Sequence, residues 1–180
     1  MELDVSYFSR LVVQPVIVVS TISPNGVSNA APISFNAPVT TGPVPLYGFC
    51  CETEHDTWRN ISENGEFVVN MVGKEFAPMM NELAADLPYE VSEIAHCGLT
   101  EEKASTVSPP RIAEAYGWIE CKMREHVKLS ERAVWIIGEV TAVAAKDDAF
   151  DENLKIERAN PLHLVTAGGY IADMRKITKT

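Results

Sequence analysis

A run of β-branched residues near the start of the chain decides much of what it can become. Pro15-Val-Ile-Val-Val-Ser-Thr-Ile22 has the residue types that suit the pleated, half-buried surface of a strand. Its proline stands first, where a missing N–H does little harm to a ladder. Ser23-Pro24-Asn25-Gly26 follows, with a proline that fixes φ for a turn and Asn-Gly that tolerates positive φ. Val27 to Pro32 then returns antiparallel. A β-hairpin is the result, preceded over residues 4 to 11 by a short helix or lead-in.

The rest of the chain continues in strands. Phe35 to Pro45, rich in Pro, Thr and Gly, reads as an irregular loop, and Pro45 to Cys51 as a third strand. Thr57 to Asn64 reads as a short helix stopped by Gly65, followed by a strand from Glu66 to Val72. Phe76 to Gly98 is helical in pattern and broken by Pro88, which predicts two short helices lying over a sheet. Thr100 to Pro110 reads as a loop. Gly117 to Lys128 alternates polar and apolar residues, Ser130-Glu-Arg132 turns the chain, and Ala133 to Val143 makes a long strand. Asp147 to Glu157 is acidic and partly loop, and Leu162 to Tyr170 adds a last strand. Without repeat, low-complexity tract or linker, the 180 residues read as one domain. Such hairpins predict a mainly β fold with some α, an antiparallel barrel, since closure removes unpaired edges. Neither βαβ alternation nor GxGxxG follows the first strand, which argues against a Rossmann site.

Charge narrows the function. Apolar residues make up 46% and charged residues 22%, and the net charge is −10. That balance opposes binding to nucleic acid, which needs Lys and Arg to displace counterions, and to an anionic membrane surface. The longest apolar run, Val12 to Val19, is interrupted by Gln14 and Pro15 and is too short for a span. The N-terminus carries no basic region followed by an apolar stretch, so no secretory signal is expected. Cys50 and Cys51 are adjacent and Cys97 and Cys121 isolated, a pattern of reduced thiols in a cytoplasmic protein rather than of disulfides or a zinc site.

Two stretches carry candidate site residues. Thr21 and then Asn29-Ala-Ala-Pro-Ile-Ser-Phe-Asn36 form a strand end whose small residues admit a flat ring close to the backbone. Ser34 and Asn36 add hydrogen-bonding side chains and Phe35 an apolar surface. Cys50 to Thr57 leads into the helix, where Thr57 or Asp56 is expected to cap and His55 offers a donor; a helix N-terminus attracts phosphate through free N–H groups and its dipole. Taken singly, the first stretch is equally a strand ending in a polar turn, and the second an ordinary cap. Trp58, Trp118 and Trp135 read as core or interface aromatics. Asp147-Asp148 and Asp151-Glu152 read as a solvated loop. No nucleophile elbow or Ser-His-Asp arrangement is visible.

In order along the chain, Pro-Val-x-Val-x-Ser-Thr, Asn-Ala-Ala-Pro-x-Ser-Phe and His-x-Thr-x-Arg-Asn-Ile resemble the flavin reductase-like, FMN-binding split-barrel proteins, especially their flavoredoxin-like members. Glu66-Phe-Val-Val-Asn-Met71, Pro109-Pro-Arg-Ile112, Trp118-Ile-Glu-Cys121 and Ile137-Gly-Glu-Val140 extend the likeness over most of the chain. The resemblance implies a Greek-key-like split barrel with short covering helices, and a homodimer with FMN near the subunit interface. Ala31, Pro32, Ser34, Phe35 and Asn36 would line the flavin ring, supported by Thr21 and Asn29. Cys50, Cys51, His55 and Thr57 would surround the ribityl phosphate, and Asn70 and Met71 are lesser candidates. The sequence departs from the family where many members place a Lys or Arg: Glu52, Glu54 and Asp56 crowd that loop. Phosphate would then lean on backbone donors, His55, Thr57 and Arg59, or on the partner subunit. The family's C-terminal His-and-Gly element corresponds loosely to His163 and Thr166-Ala-Gly-Gly-Tyr170, and His163 reads as structural. The activity implied is NAD(P)H-dependent flavin reduction, with NADH or NADPH as substrate. Alternatives are an FMN electron carrier exchanging electrons with a redox partner protein and a non-redox flavin-binding protein. Reduced flavin delivered to a flavin-dependent monooxygenase is a further expectation.

Overall fold

The structure, a computed structural model, describes residues 1–149, 159–165 and 169–172. A 3-10 helix over Val5–Leu11 precedes β1 (Gln14–Pro15), β2 (Ile17–Ile22), β3 (Ser28–Ile33), β4 (Asn36–Thr40) and β5 (Leu46–Glu52). Helix α1 (Asp56–Asn64) leads to β6 (Glu66–Met71). A 3-10 turn over Lys74–Met79 runs into α2 (Met80–Leu83), and α3 (Glu93–His96) follows beyond Pro88. Two short strands, β7 (Glu101–Glu102) and β8 (Arg111–Ile112), come before the long hairpin β9 (Gly117–Lys128) and β10 (Ala133–Ala145). Strands β11 (His163–Leu164) and β12 (Tyr170–Ile171) complete the described elements.

Seven strands make one sheet in the order β3-β2-β6-β9-β10-β5-β4, every neighbour antiparallel. Its two edge strands, β3 and β4, are consecutive in sequence and joined only by Ser34 and Phe35. A link that short forces the sheet to curl until its edges meet. The Cys50 amide donates to the Phe35 carbonyl at 2.8 Å, carrying the β4–β5 ladder into that link. Beside the link, the β3 edge faces β5 across an open seam.

The alternation of β2 sorts its side chains between two cores. Ile17 and Val19 point into the barrel with Phe49, Phe67, Val69, Cys121, Val134 and Ile136, and α1 adds Ile61. Val16 and Val18 point outward beneath Phe76, Met80, Leu83, Ile94 and Leu162 of the covering helices and C-terminal segment. A strand buried on both faces reads as a continuous apolar run, which is why Val16 to Val19 carries no polar residue. Phe49 and Phe67 meet edge to face at 5.3 Å in the barrel interior.

Three sequence expectations need correction. Residues 36–40, expected as irregular loop, form β4. It is an edge strand with a register irregularity between Pro38 and Thr40, and an edge tolerates Pro38 because its outer side pairs with nothing. The last strand is two short strands, with residues 166–168 of the Gly-Gly element outside the described part, and most of the acidic stretch after Asp147 lies outside it as well. The third concerns the start of α1. Neither Asp56 nor Thr57 caps this helix: His55 holds the N-cap position in an extended conformation and makes no side-chain cap bond. Its other end is as read, with Gly65 at φ 72° returning its amide to Ile61, the left-handed geometry that favours glycine.

Candidate functional site

A cavity of about 540 Å³ opens along the seam, inside the roughly 300–1,000 Å³ range of small-molecule and cofactor sites. Strand β3 and its link form one wall from Asn29 to Phe35. Cys50 to Glu52 of β5, Glu54 and the start of α1 form the second, and residues 83–87 with Glu93 form the third. Nine of the sequence-expected residues meet here: Asn29, Ala31, Pro32, Ser34, Phe35, Cys50, Cys51, His55 and Thr57.

Strand β3 owes its role to being an edge. Alternate residues of an antiparallel strand turn their backbone groups to opposite sides. The Ala30 amide leaves the sheet to meet the Glu93 carboxylate at 3.0 Å, so Ser28, Ala30 and Pro32 present their polar groups outward. Pro32 brings no N–H to that edge and leaves its carbonyl as an acceptor. Small side chains at Ala30 and Ala31 keep the backbone approachable.

One hydrogen-bonded chain ties the walls together. Asn29 Oδ1 accepts from the Thr21 and Thr57 hydroxyls, each at 3.1 Å, while Asn29 Nδ2 donates to Glu93 at 3.1 Å. Asn60 donates to Thr21 at 2.9 Å and accepts from the Tyr89 hydroxyl at 2.7 Å. Thr57 is drawn to Asn29, which explains why it does not cap its helix. The first turn of α1 beside the cavity is therefore left without a side-chain cap, while the Trp58 amide turns to the Cys51 thiol. Thr21 supports Asn29 from behind and does not line the space.

Asn36 and Asn70 stand elsewhere. The Asn36 amide donates to the carbonyls of Pro15, Ile33 and Ser34, and its oxygen accepts from the Tyr47 hydroxyl at 2.5 Å; it pins the β3–β4 link rather than facing the cavity. Asn70 is fully buried, donating to Val18 and Ser20 and accepting from the Ile112 amide at 2.7 Å. Met71 packs against the barrel core. His163 contacts the Pro161 carbonyl at 3.0 Å, away from the cavity.

The lining is acidic: Glu52, Glu54, Asp56, Asp86 and Glu93 against His55 and Arg132. Burial raises the Glu93 carboxyl above its ordinary pKa, despite the lowering effect of the Ala30 and Asn29 hydrogen bonds. Burial also raises Asp56, where Asp86 and Glu90 add to the effect and Arg59 and His55 oppose it. The thiols are pushed up by burial, Cys51 to about 12 and Cys50 in the same direction. Both stay protonated near neutrality and serve as small linings, not nucleophiles.

With no Lys or Arg in the loop, phosphate is expected from the sequence to lean on backbone donors, His55, Thr57 and Arg59, or on the partner subunit. Arg59 instead stacks on the Tyr89 ring at 3.7 Å and is not part of the lining. Arg132, read only as part of a turn, reaches the cavity from the β9–β10 hairpin. Only its distance in sequence from Glu52 hid it.

The family model for the flavin reductase like domain matches residues 8–169. The chain belongs to this family. An uncharacterized protein of Aquifex aeolicus is 36% identical over 158 residues, covering 84% of this chain and 80% of the relative. The structure of nitrilotriacetate monooxygenase component B from Bacillus cereus superposes with a TM-score of 0.87 at 26% identity, over 99% of this chain and 95% of that one. Flavoredoxin of Desulfovibrio vulgaris (Miyazaki F) gives 0.87 at 18% identity over 99% and 97%, a likeness of fold. The flavin reductase-like chain thus has the expected split β-barrel with short covering helices. No described helix is long and apolar enough to cross a membrane.

Proposed function

We propose that this flavin reductase-like protein binds FMN in the seam cavity and acts as an NAD(P)H-dependent flavin oxidoreductase. The observation that carries the reading is the joining, in one cavity, of an open strand edge and an uncapped helix start. Along β3, the outward carbonyls of Ala30 and Pro32 suit the polar edge of an isoalloxazine, and Ala31 leaves room for the flat ring. Ser34 and Phe35 bound the far side. Around the start of α1, the uncapped first turn, His55 and Thr57 suit the phosphate end, with Cys50 and Cys51 as small neighbours. When bound, the flavin supplies the hydride and electron chemistry; the protein supplies binding, orientation and electrostatics. Such a division fits a cavity whose thiols are protonated.

A homodimer belongs to the same reading. The Val5–Leu11 helix buries none of its residues, and Val5, Phe8, Leu11, Val12, Val13 and Phe35 are exposed apolar side chains. A shallow hollow bounded by Val12, Val13, Phe35 and Trp135 shares Ser34 and Phe35 with the cavity. Apolar surface of this kind marks a protein interface, and a second copy seated here would border the flavin. Delivery of reduced flavin to a monooxygenase component is consistent with the Bacillus cereus likeness.

Anaerobic titration of the FMN-loaded protein with NADH or NADPH tests the activity. Bleaching of the flavin absorbance in one turnover, without a second protein, is the expected result. An oxidised flavin that bleaches only with a partner reductase would make the protein an electron carrier instead.

A further inference from the structure

Arg132 sits on the tip of the β9–β10 hairpin, yet its position is fixed from the opposite side of the sequence. Thr53 donates its amide to the Arg132 carbonyl at 3.0 Å and its hydroxyl to the Glu131 carbonyl at 3.0 Å. The Arg132 amide returns to the Ser130 hydroxyl at 3.2 Å. The hairpin tip is thereby clamped to the segment that joins β5 to α1, and among the described residues Arg132 is the only Lys or Arg lining the cavity.

Its guanidinium reaches Glu52 at 3.4 Å and Glu54 at 3.6 Å, both through Nη2. Nε and Nη1 meet no carboxylate among the described residues. A guanidinium presents its donors as a rigid fork that matches phosphate oxygens. Two carboxylates at one nitrogen hold such a fork in place while leaving its other face for a further anion.

Building on the flavin reading above, we infer that Arg132 is the residue that selects a phosphorylated flavin over an unphosphorylated one. Glu52 and Glu54 act as its resting counterions and compete with the incoming phosphate. Competition of this kind makes affinity salt-dependent, because the group is largely exposed.

The experiment measures binding of FMN and of riboflavin, by flavin fluorescence quenching, to the full-length parent protein, R132A and a double variant E52Q/E54Q. R132A is expected to lose about tenfold in FMN affinity and to leave riboflavin within about twofold, the usual worth of a charge-assisted contact. Its FMN affinity also loses the salt dependence seen in the parent. E52Q/E54Q, freed of competitors, is expected to bind FMN more tightly. Thermal unfolding of R132A at the parent temperature excludes a folding defect at this exposed tip. Equal effects of R132A on both flavins, or no effect on either, overturn the inference while leaving flavin binding intact. Unchanged or weakened FMN binding by E52Q/E54Q overturns it too. A parent protein that binds neither flavin overturns the flavin reading and this inference together.

Discussion

Thr57, in the first turn of α1, donates its hydroxyl to Asn29 on β3, 28 residues earlier, at 3.1 Å. The bond joins the helix wall of the cavity to its strand wall, and it sits within a fully used network in which no buried side-chain polar atom of the described residues lacks a partner. Thr57→Val removes one donor and leaves Asn29 with Thr21, so a stability loss of about 1 kcal/mol is expected. Asn29→Ala strands Thr57 and deprives Glu93 of a donor, and a loss of about 2–3 kcal/mol is expected. Urea unfolding measures both. An Asn29→Ala protein as stable as the parent would show that the network does not hold the walls.

Glu93 gives the site a pH dependence whose sign is fixed by its environment. Burial raises its carboxyl above the ordinary 4.5, so the folded state holds this proton more tightly than the unfolded chain. Its contribution to stability is complete below the unfolded value and declines as pH rises through the folded one. Glu93→Gln has no proton to lose and retains an oxygen for the Ala30 amide. The stability of Glu93→Gln relative to the parent therefore rises with pH above about 4.5 and levels off beyond the folded pKa. Denaturation curves across mildly acidic to neutral pH check it; a difference independent of pH contradicts it.

Glu120 behaves in the opposite sense. Its side chain is fully buried on β9 and accepts from the Ser105 and Thr106 amides, the Thr106 hydroxyl, and Nε and Nη2 of Arg111 at 2.9 and 2.6 Å. Burial alone would raise its pKa, but these donors outweigh it and hold the carboxyl low. Its stabilisation is present above the unfolded pKa and is lost as pH falls through the folded one. Glu120→Gln leaves the buried Arg111 guanidinium with only the more exposed Glu102 carboxylate at 3.5 Å among the described residues, and a loss of about 3 kcal/mol is expected at neutral pH. A loss below about 1 kcal/mol, the value typical of an exposed pair, would mean that Glu102 suffices as the counterion of Arg111.

Close packing explains the one glycine, Gly138, of the family-like segment Ile137-Gly-Glu-Val140. A Cβ there would lie 2.4 Å from Phe67 Cζ and 2.9 Å from Cys121 Cβ, in the middle of the barrel core. Gly138→Ala is expected to cost about 1–3 kcal/mol by overpacking. Thermal unfolding indistinguishable from the parent would show that Phe67 has room to move.

The hairpin, α1 and the long β9–β10 ribbon were legible because each rests on local chemistry: β-branched runs, Asn25-Gly26 and Gly65. Asn29, Thr57 and the β3 end were legible as a candidate site only through their order along the chain. What the sequence hid was set by distant contacts. Thr57 looks like a cap until Asn29 draws its hydroxyl away, and Asn36 looks like a ligand until the Pro15, Ile33 and Ser34 carbonyls claim it. Arg132 looks like a turn residue until Thr53 clamps it against the cavity. Residues 36–40 look like loop because a proline in a strand is permitted only at an edge, and edge position is a property of the closed sheet.

The most direct measurement is equilibrium titration of the flavin-stripped protein with FMN, followed by absorbance and by fluorescence quenching. The expected result is saturable binding of one FMN per chain, a shifted flavin spectrum, and release of free FMN on denaturation. A folded protein that leaves FMN fluorescence unchanged across the titration would contradict the reading of the seam cavity as a flavin site.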